Sequence, residues 1–127
     1  MKICISSSGS SKDSPVDPRF GRCQYFAVYD GEKFDFVKNE AWRAPRGAGI
    51  AATQKVADLS CQVVITGNVG PNAFYALQSA GIKVCTGVFG KTVKEALKEF
   101  REGKLSEVQM PTRRFGFGMG RGRRGRR

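Results

Sequence analysis

Val63-Val64-Ile65-Thr66-Gly67-Asn68-Val69-Gly70-Pro71-Asn72 decides how this chain is read. A continuous apolar run stops abruptly, passes two glycines, and reopens as a helix with Pro71 in its first turn. That pattern is a buried parallel strand feeding a helix N-terminus, where proline loses nothing by lacking an N–H. The amides of such a turn point beyond the strand's carboxyl end, and the helix dipole favours an anion there.

Outward from this unit, residues 2–6 read as a short central strand. Residues 7–22 form a long polar loop, a length that in a compact domain signals function or mobility. Aromatic and β-branched runs at 25–29 and 33–38 flank Asp30-Gly31, a hairpin signal. Ala48, Ala52, Val56 and Leu59 lie on one helical stripe, with Gln54, Lys55 and Asp58 facing away. Residues 62–66 are the buried strand, 72–80 a helix stopped by Gly81, and 82–85 another strand. Thr92-Val93-Lys94-Glu95 is a capping box for a last helix ending at Gly103, with Val93, Ala96, Leu97 and Phe100 inward.

The order β, β, β, α, β, α, β, α predicts an α/β fold around a five-stranded mixed sheet. The hairpin makes strand 2 antiparallel, and right-handed crossovers make the strand–helix–strand neighbours parallel. The carboxyl ends of strands one, three, four and five then share an edge. That edge gathers residues 6–8, Asn39, 67–72 and Thr86-Gly87, where open α/β sheets bind ligands.

The formal net charge of +11 is concentrated at one end. Residues 111–127 hold seven arginines and no acid, and the other 110 residues carry only four units. Residues 1–108 are expected to fold as one domain, and the Arg/Gly-rich tail 109–127 to be disordered alone. Such a tail is similar to segments that hold single-stranded nucleic acid, so a nucleic-acid-binding module is one reading. A flexible appendage is the other, because the domain lacks a basic face studded with aromatics. No apolar run reaches membrane-span length, and the expected setting is the cytoplasm with four reduced cysteines. With no histidine, any mechanism needing an imidazole is excluded.

Gly47-Ala48-Gly49-Ile50-Ala51-Ala52 matches the dinucleotide fingerprint, but residues 40–46 part it from the preceding strand. Gly67-Asn68 also stands where an acid would grip a ribose. Gly47 and Gly49 therefore serve close helix packing and offer amides to the shared edge. Gly67, Asn68, Gly70 and Asn72 lack the lysine and hydroxyl of a P-loop, which leaves a tight turn or an anion site. In Asp17-Pro18-Arg19-Phe20-Gly21-Arg22, Arg19 and Arg22 are suited to clamp a multi-oxygen or sulfur-rich anion. An Asp17–arginine ion pair holding the loop is the alternative. Cys4 and Cys61 read as buried small hydrophobes, whereas Cys23 and Cys85 approach the edge as candidate thiolate ligands.

Together these segments resemble the dinitrogenase iron–molybdenum cofactor biosynthesis family. The resemblance rests on residues 17–22, 47–50 and 67–74, and on Ala80-Gly81-Ile82 with Thr86-Gly87, in order over residues 1 to about 105. It implies a ribonuclease H-like fold with strand order 3-2-1-4-5. It also implies non-enzymatic binding or delivery of an iron–sulfur or molybdenum-containing cluster, with cluster donor or acceptor proteins as partners. Family carriers use histidine or cysteine for the cluster, so here that role would fall to Cys23 or Cys85. Nuclease chemistry on this fold needs converging carboxylates, and strand one offers Cys4 and Ser6 instead.

Overall fold

The computed structural model describes residues 1–43 and 47–111. Most of the Arg/Gly-rich tail therefore lies outside the described residues. Five strands run β1 (Ile3–Ser7), β2 (Tyr25–Tyr29), β3 (Phe34–Lys38), β4 (Val63–Ile65) and β5 (Lys83–Cys85). Three helices are α1 (Ala48–Asp58), α2 (Pro71–Ser79) and α3 (Val93–Arg101). The sheet order is β3-β2-β1-β4-β5, with β2 antiparallel to both neighbours and β1, β4 and β5 parallel. This is the α/β architecture expected from the order of elements.

Strand parity divides the core. Cys4, Val28, Val64 and Val84 face α1 and α2, together with Val56, Phe74 and Leu77. Ile3, Ile5, Val63, Ile65 and Cys85 face α3 through Val93, Ala96 and Leu97. β1 is buried along its whole length because it lies mid-sheet with helices on both faces. The capping box of α3 forms in full: Thr92 Oγ1 accepts from Glu95 N–H, and Glu95 Oε1 accepts from Thr92 N–H. Asp30 Oδ1 accepts from the amides of Glu32 and Lys33, and Gly31 takes a φ of 106°, so the hairpin turns over four residues.

The long loop after β1 is tied down. Ser8 N–H donates to Pro15 carbonyl, Val16 N–H to Lys91 carbonyl, and Asp17 N–H to Ser6 carbonyl. Val16, Asp17 and Phe20 are all buried. Ser6 Oγ donates to Asp17 carbonyl at 2.6 Å and lies 2.8 Å from Thr66 Oγ1, stitching the loop to β1 and β4. A 3-10 turn at Glu40–Arg43, not foreseen from the sequence, carries the chain from β3 toward α1.

Candidate functional site

Three small residues bring the starts of α1 and α2 together. A side chain at Gly21 would come within 2.8 Å of Gly49 N, and one at Gly49 within 2.8 Å of Ala73 Cβ. The loop bearing Arg19 and Arg22 thus rests directly on the first turn of α1, which rests on the first turn of α2. Asn39, buried at the end of β3, holds the loop from below, its Nδ2 donating to the carbonyls of Gly21 (3.1 Å) and Cys23 (2.8 Å).

The result is a cleft of about 240 Å³ lined by Arg19 to Arg22, Gly47 to Ile50 and Gly70 to Ala73. Neither α1 nor α2 carries a side-chain cap. Gly47 carbonyl accepts from Ala51, and Gly70 carbonyl from Phe74, so both ladders start inside the cleft. The amides of Ala48, Gly49, Ile50, Asn72 and Ala73 precede those bonds and have no intrahelical acceptor. Gly47 caps α1 in the left-handed region at φ 72°, a conformation glycine adopts without strain. Two positive helix ends therefore border a space that Arg19 and Arg22 also line.

Arg19 is bound at its rear edge and exposed at its front. Its Nε and Nη2 each donate to a carboxylate oxygen of Asp17 at 3.3 Å, and its backbone N–H donates to Asp17 Oδ1 at 2.9 Å. The Arg19 side chain is 61% exposed and that of Asp17 only 5%. Asp17 also pushes the Arg19 guanidinium above its ordinary range, by hydrogen bonding first and by charge second. The ion pair read from the sequence as one alternative forms and fixes the loop, and Arg19 also borders the cleft.

Of the expected site residues, Arg19, Arg22, Gly47, Gly49, Gly70 and Asn72 come together. Gly67 and Asn68 do not line the cleft. Asn68 N–H is spent on Pro18 carbonyl at 2.7 Å, and a side chain at Gly67 would strike Pro18 Cα at 2.7 Å and the Phe89 ring at 2.8 Å. These two residues clamp the arginine loop to β4. Cys85 stands on the α3 face of the sheet, 3% exposed. Cys23 is fully buried on the α1 and α2 face, its Sγ 3.2 Å from Phe20 carbonyl and 3.6 Å from Asn39 Nδ2. Burial first, then the nearby Asp17 charge, push its thiol up to about 12. Among the described residues no three cysteine, aspartate or glutamate side chains gather as a metal site.

Phe20, Ile50 and Ala73 also line the cleft and were not singled out from the sequence. The available signal was the run of small residues at each helix start. Among the described residues no helix is long and apolar enough to cross a membrane.

The model of the family described as "Dinitrogenase iron-molybdenum cofactor" matches residues 1–103. The chain belongs to that family. The apo form of the orange protein from Desulfovibrio gigas is 39% identical, with a TM-score of 0.86 over 88% of this chain and 96% of that one. A proposed NifB protein from Thermotoga is 37% identical, with a TM-score of 0.77 over 88% and 97% of the two chains. An uncharacterized protein of Methanocaldococcus jannaschii is 27% identical over 99 residues, 74% of this chain and 83% of that one. The iron–molybdenum cofactor family assignment thus spans the described fold and includes every residue of the cleft.

Proposed function

We propose that this protein binds a preformed anionic metal–sulfur cluster at the cleft and hands it on, without catalysing a reaction. Cluster donor and acceptor proteins of the cytoplasm are its partners in this reading. The observation that carries it is the convergence of Arg19, Arg22 and two uncapped helix starts on one concave rim. Membership of the iron–molybdenum cofactor family supports a metal–sulfur cluster as the class of cargo.

The donor set selects how such a cargo is held. Among the described residues no cysteine, aspartate or glutamate lines the cleft, and the chain has no histidine. The lining offers N–H donors and positive charge, which match sulfide or oxide faces of a cluster whose metals already have their ligands. At about 30 Å³ per water, the cleft has room for about eight waters, enough for a group of several heavy atoms. Hydrogen bonds to a charged group contribute roughly 1.5–3 kcal/mol each, so a few of them suffice for capture while leaving release possible.

Anaerobic loading with tetrathiomolybdate tests the reading. The protein is expected to give a perturbed charge-transfer spectrum that saturates, and Arg19→Ala with Arg22→Ala to weaken binding by at least about tenfold. A spectrum unchanged by protein, or equal affinity in the double variant, contradicts it.

A further inference from the structure

Cys4, Cys23 and Cys61 share the α1 and α2 face of the sheet, and Cys85 lies on the other. Two of these three meet. The Cys4 thiol donates a hydrogen bond to the Cys61 sulfur, whereas Cys23 turns to Phe20 carbonyl and Asn39. The end of α1 builds the meeting. Ser60 takes a φ of 62°, the left-handed turn that closes a helix. Its N–H donates to Ala57 carbonyl at 2.9 Å, and Cys61 N–H donates to Val56 carbonyl at 3.2 Å, which folds Cys61 back against the last turn. Gln62 N–H then donates to Lys2 carbonyl at 2.9 Å and sets β4 beside β1, with Cys4 opposite Val64.

The two sulfurs differ in their surroundings. Cys4 is wholly enclosed, and burial first, then Cys61, push its thiol well above the ordinary value. Cys61 keeps 5% of its surface open. The hydrogen bond from Cys4 draws the Cys61 thiol below its ordinary value against burial, and the Lys2 charge adds to that. Lys2 is held there by its Nζ, which donates to Leu59 carbonyl at the helix end at 3.1 Å. An electron-rich sulfur at the surface therefore rests on a protonated one beneath it.

We propose that Cys61 and Cys4 form a reversible disulfide when the protein meets a hydroperoxide, with Cys61 as the attacking sulfur and Cys4 as the resolving one. The Cys61 thiolate attacks the peroxide: an S–O bond forms, the O–O bond breaks, and hydroxide leaves and is protonated. Cys4 sulfur then attacks the Cys61 sulfenic acid. The S–S bond forms, the S–O bond breaks, and the Cys4 proton leaves with the hydroxide as water. The two thiols lose two electrons and hydrogen peroxide gains them, giving two waters. A small thiol reductant reopens the bond by exchange, as a transient cytoplasmic disulfide requires. The site lies beyond the last turn of α1, an eleven-residue helix about 16 Å long whose first turn borders the cleft. It stands independently of the anion-carrier reading.

The test treats the full, reduced chain with hydrogen peroxide, blocks remaining thiols with iodoacetamide after denaturation, and maps the peptides by mass spectrometry without reductant. The chain is expected to lose the mass of two hydrogens and to show one link, between the Cys4 and Cys61 peptides, with Cys23 and Cys85 alkylated. Dithiothreitol should restore all four thiols. In Cys4→Ala, dimedone is expected to trap a sulfenic acid at Cys61. In Cys61→Ala, oxidation of Cys4 should slow at least about tenfold. Four free thiols after peroxide, a Cys4–Cys23 link, or a sulfinic acid at Cys61 in the unsubstituted chain overturns the proposal. Undiminished oxidation of Cys4 in Cys61→Ala overturns the order of attack. The mapping of the unsubstituted chain decides the link whether or not either variant folds.

Discussion

Gly67-Asn68 and Gly70-Pro71-Asn72 are nearly adjacent in one loop, have similar composition, and do opposite things. The first pair is consumed by packing: Asn68 gives its N–H to Pro18, and Gly67 is pressed beneath Pro18 and Phe89. The second group opens α2 into the cleft, with nothing within 4 Å of where a Gly70 side chain would stand. A glycine turn after a parallel strand can serve an anion only where its amides are not already bonded. The difference lies in a carbonyl some fifty residues away in the sequence, not in the turn.

Residues consumed by the core and residues left open can be told apart experimentally. The largest contrast is at Cys23, a candidate ligand that the fold encloses. With its thiol pushed up to about 12, it stays protonated at neutral pH. Its alkylation near pH 8 should run roughly a hundred- to a thousandfold slower than that of an ordinary thiol. Because the thiolate is the nucleophile, the rate should rise about tenfold per pH unit as long as the fold persists. Mass-spectrometric mapping of iodoacetamide labelling over pH 7–9 checks this, and rapid labelling of native Cys23 would return it to the open class.

Next in size is a pair of substitutions within the one loop. Gly67→Val forces a side chain into Pro18 and is expected to cost about 2–3 kcal/mol in chemical denaturation. Gly70→Ala meets no neighbour, and its φ of −76° suits any residue, so its effect on stability should stay within about 0.5 kcal/mol. Equal losses at the two positions would erase the distinction between them.

Much of this was legible in the sequence because hydrophobic period and turn chemistry agree. The parallel unit at 62–80, the Thr92 capping box and the hairpin at Asp30-Gly31 each have local causes, and each formed. The cationic side of the site was legible too, since Arg19 and Arg22 lie in a loop that must leave β1 at its carboxyl end. What could not be read was long-range. Strand register turns Cys85 toward α3, and Phe20 and Asn39 enclose Cys23. The loop at 7–22 reads from its length as functional or mobile, and its bonds to Lys91 and to the start of α3 hold it. Each depends on partners that no local pattern specifies.

The central claim, that free helix-start amides and guanidinium groups form one anion site, is open to direct observation by amide chemical shifts. Tetrathiomolybdate is added stepwise to the isotopically labelled protein under anaerobic conditions. The amides of Gly49, Ile50, Asn72 and Ala73 and the side chains of Arg19 and Arg22 should move together along one saturation curve. Asn68, already bonded to Pro18, should stay nearly still. Shifts centred on Cys23, Cys85 or Asn68, or none that saturate, would contradict the account.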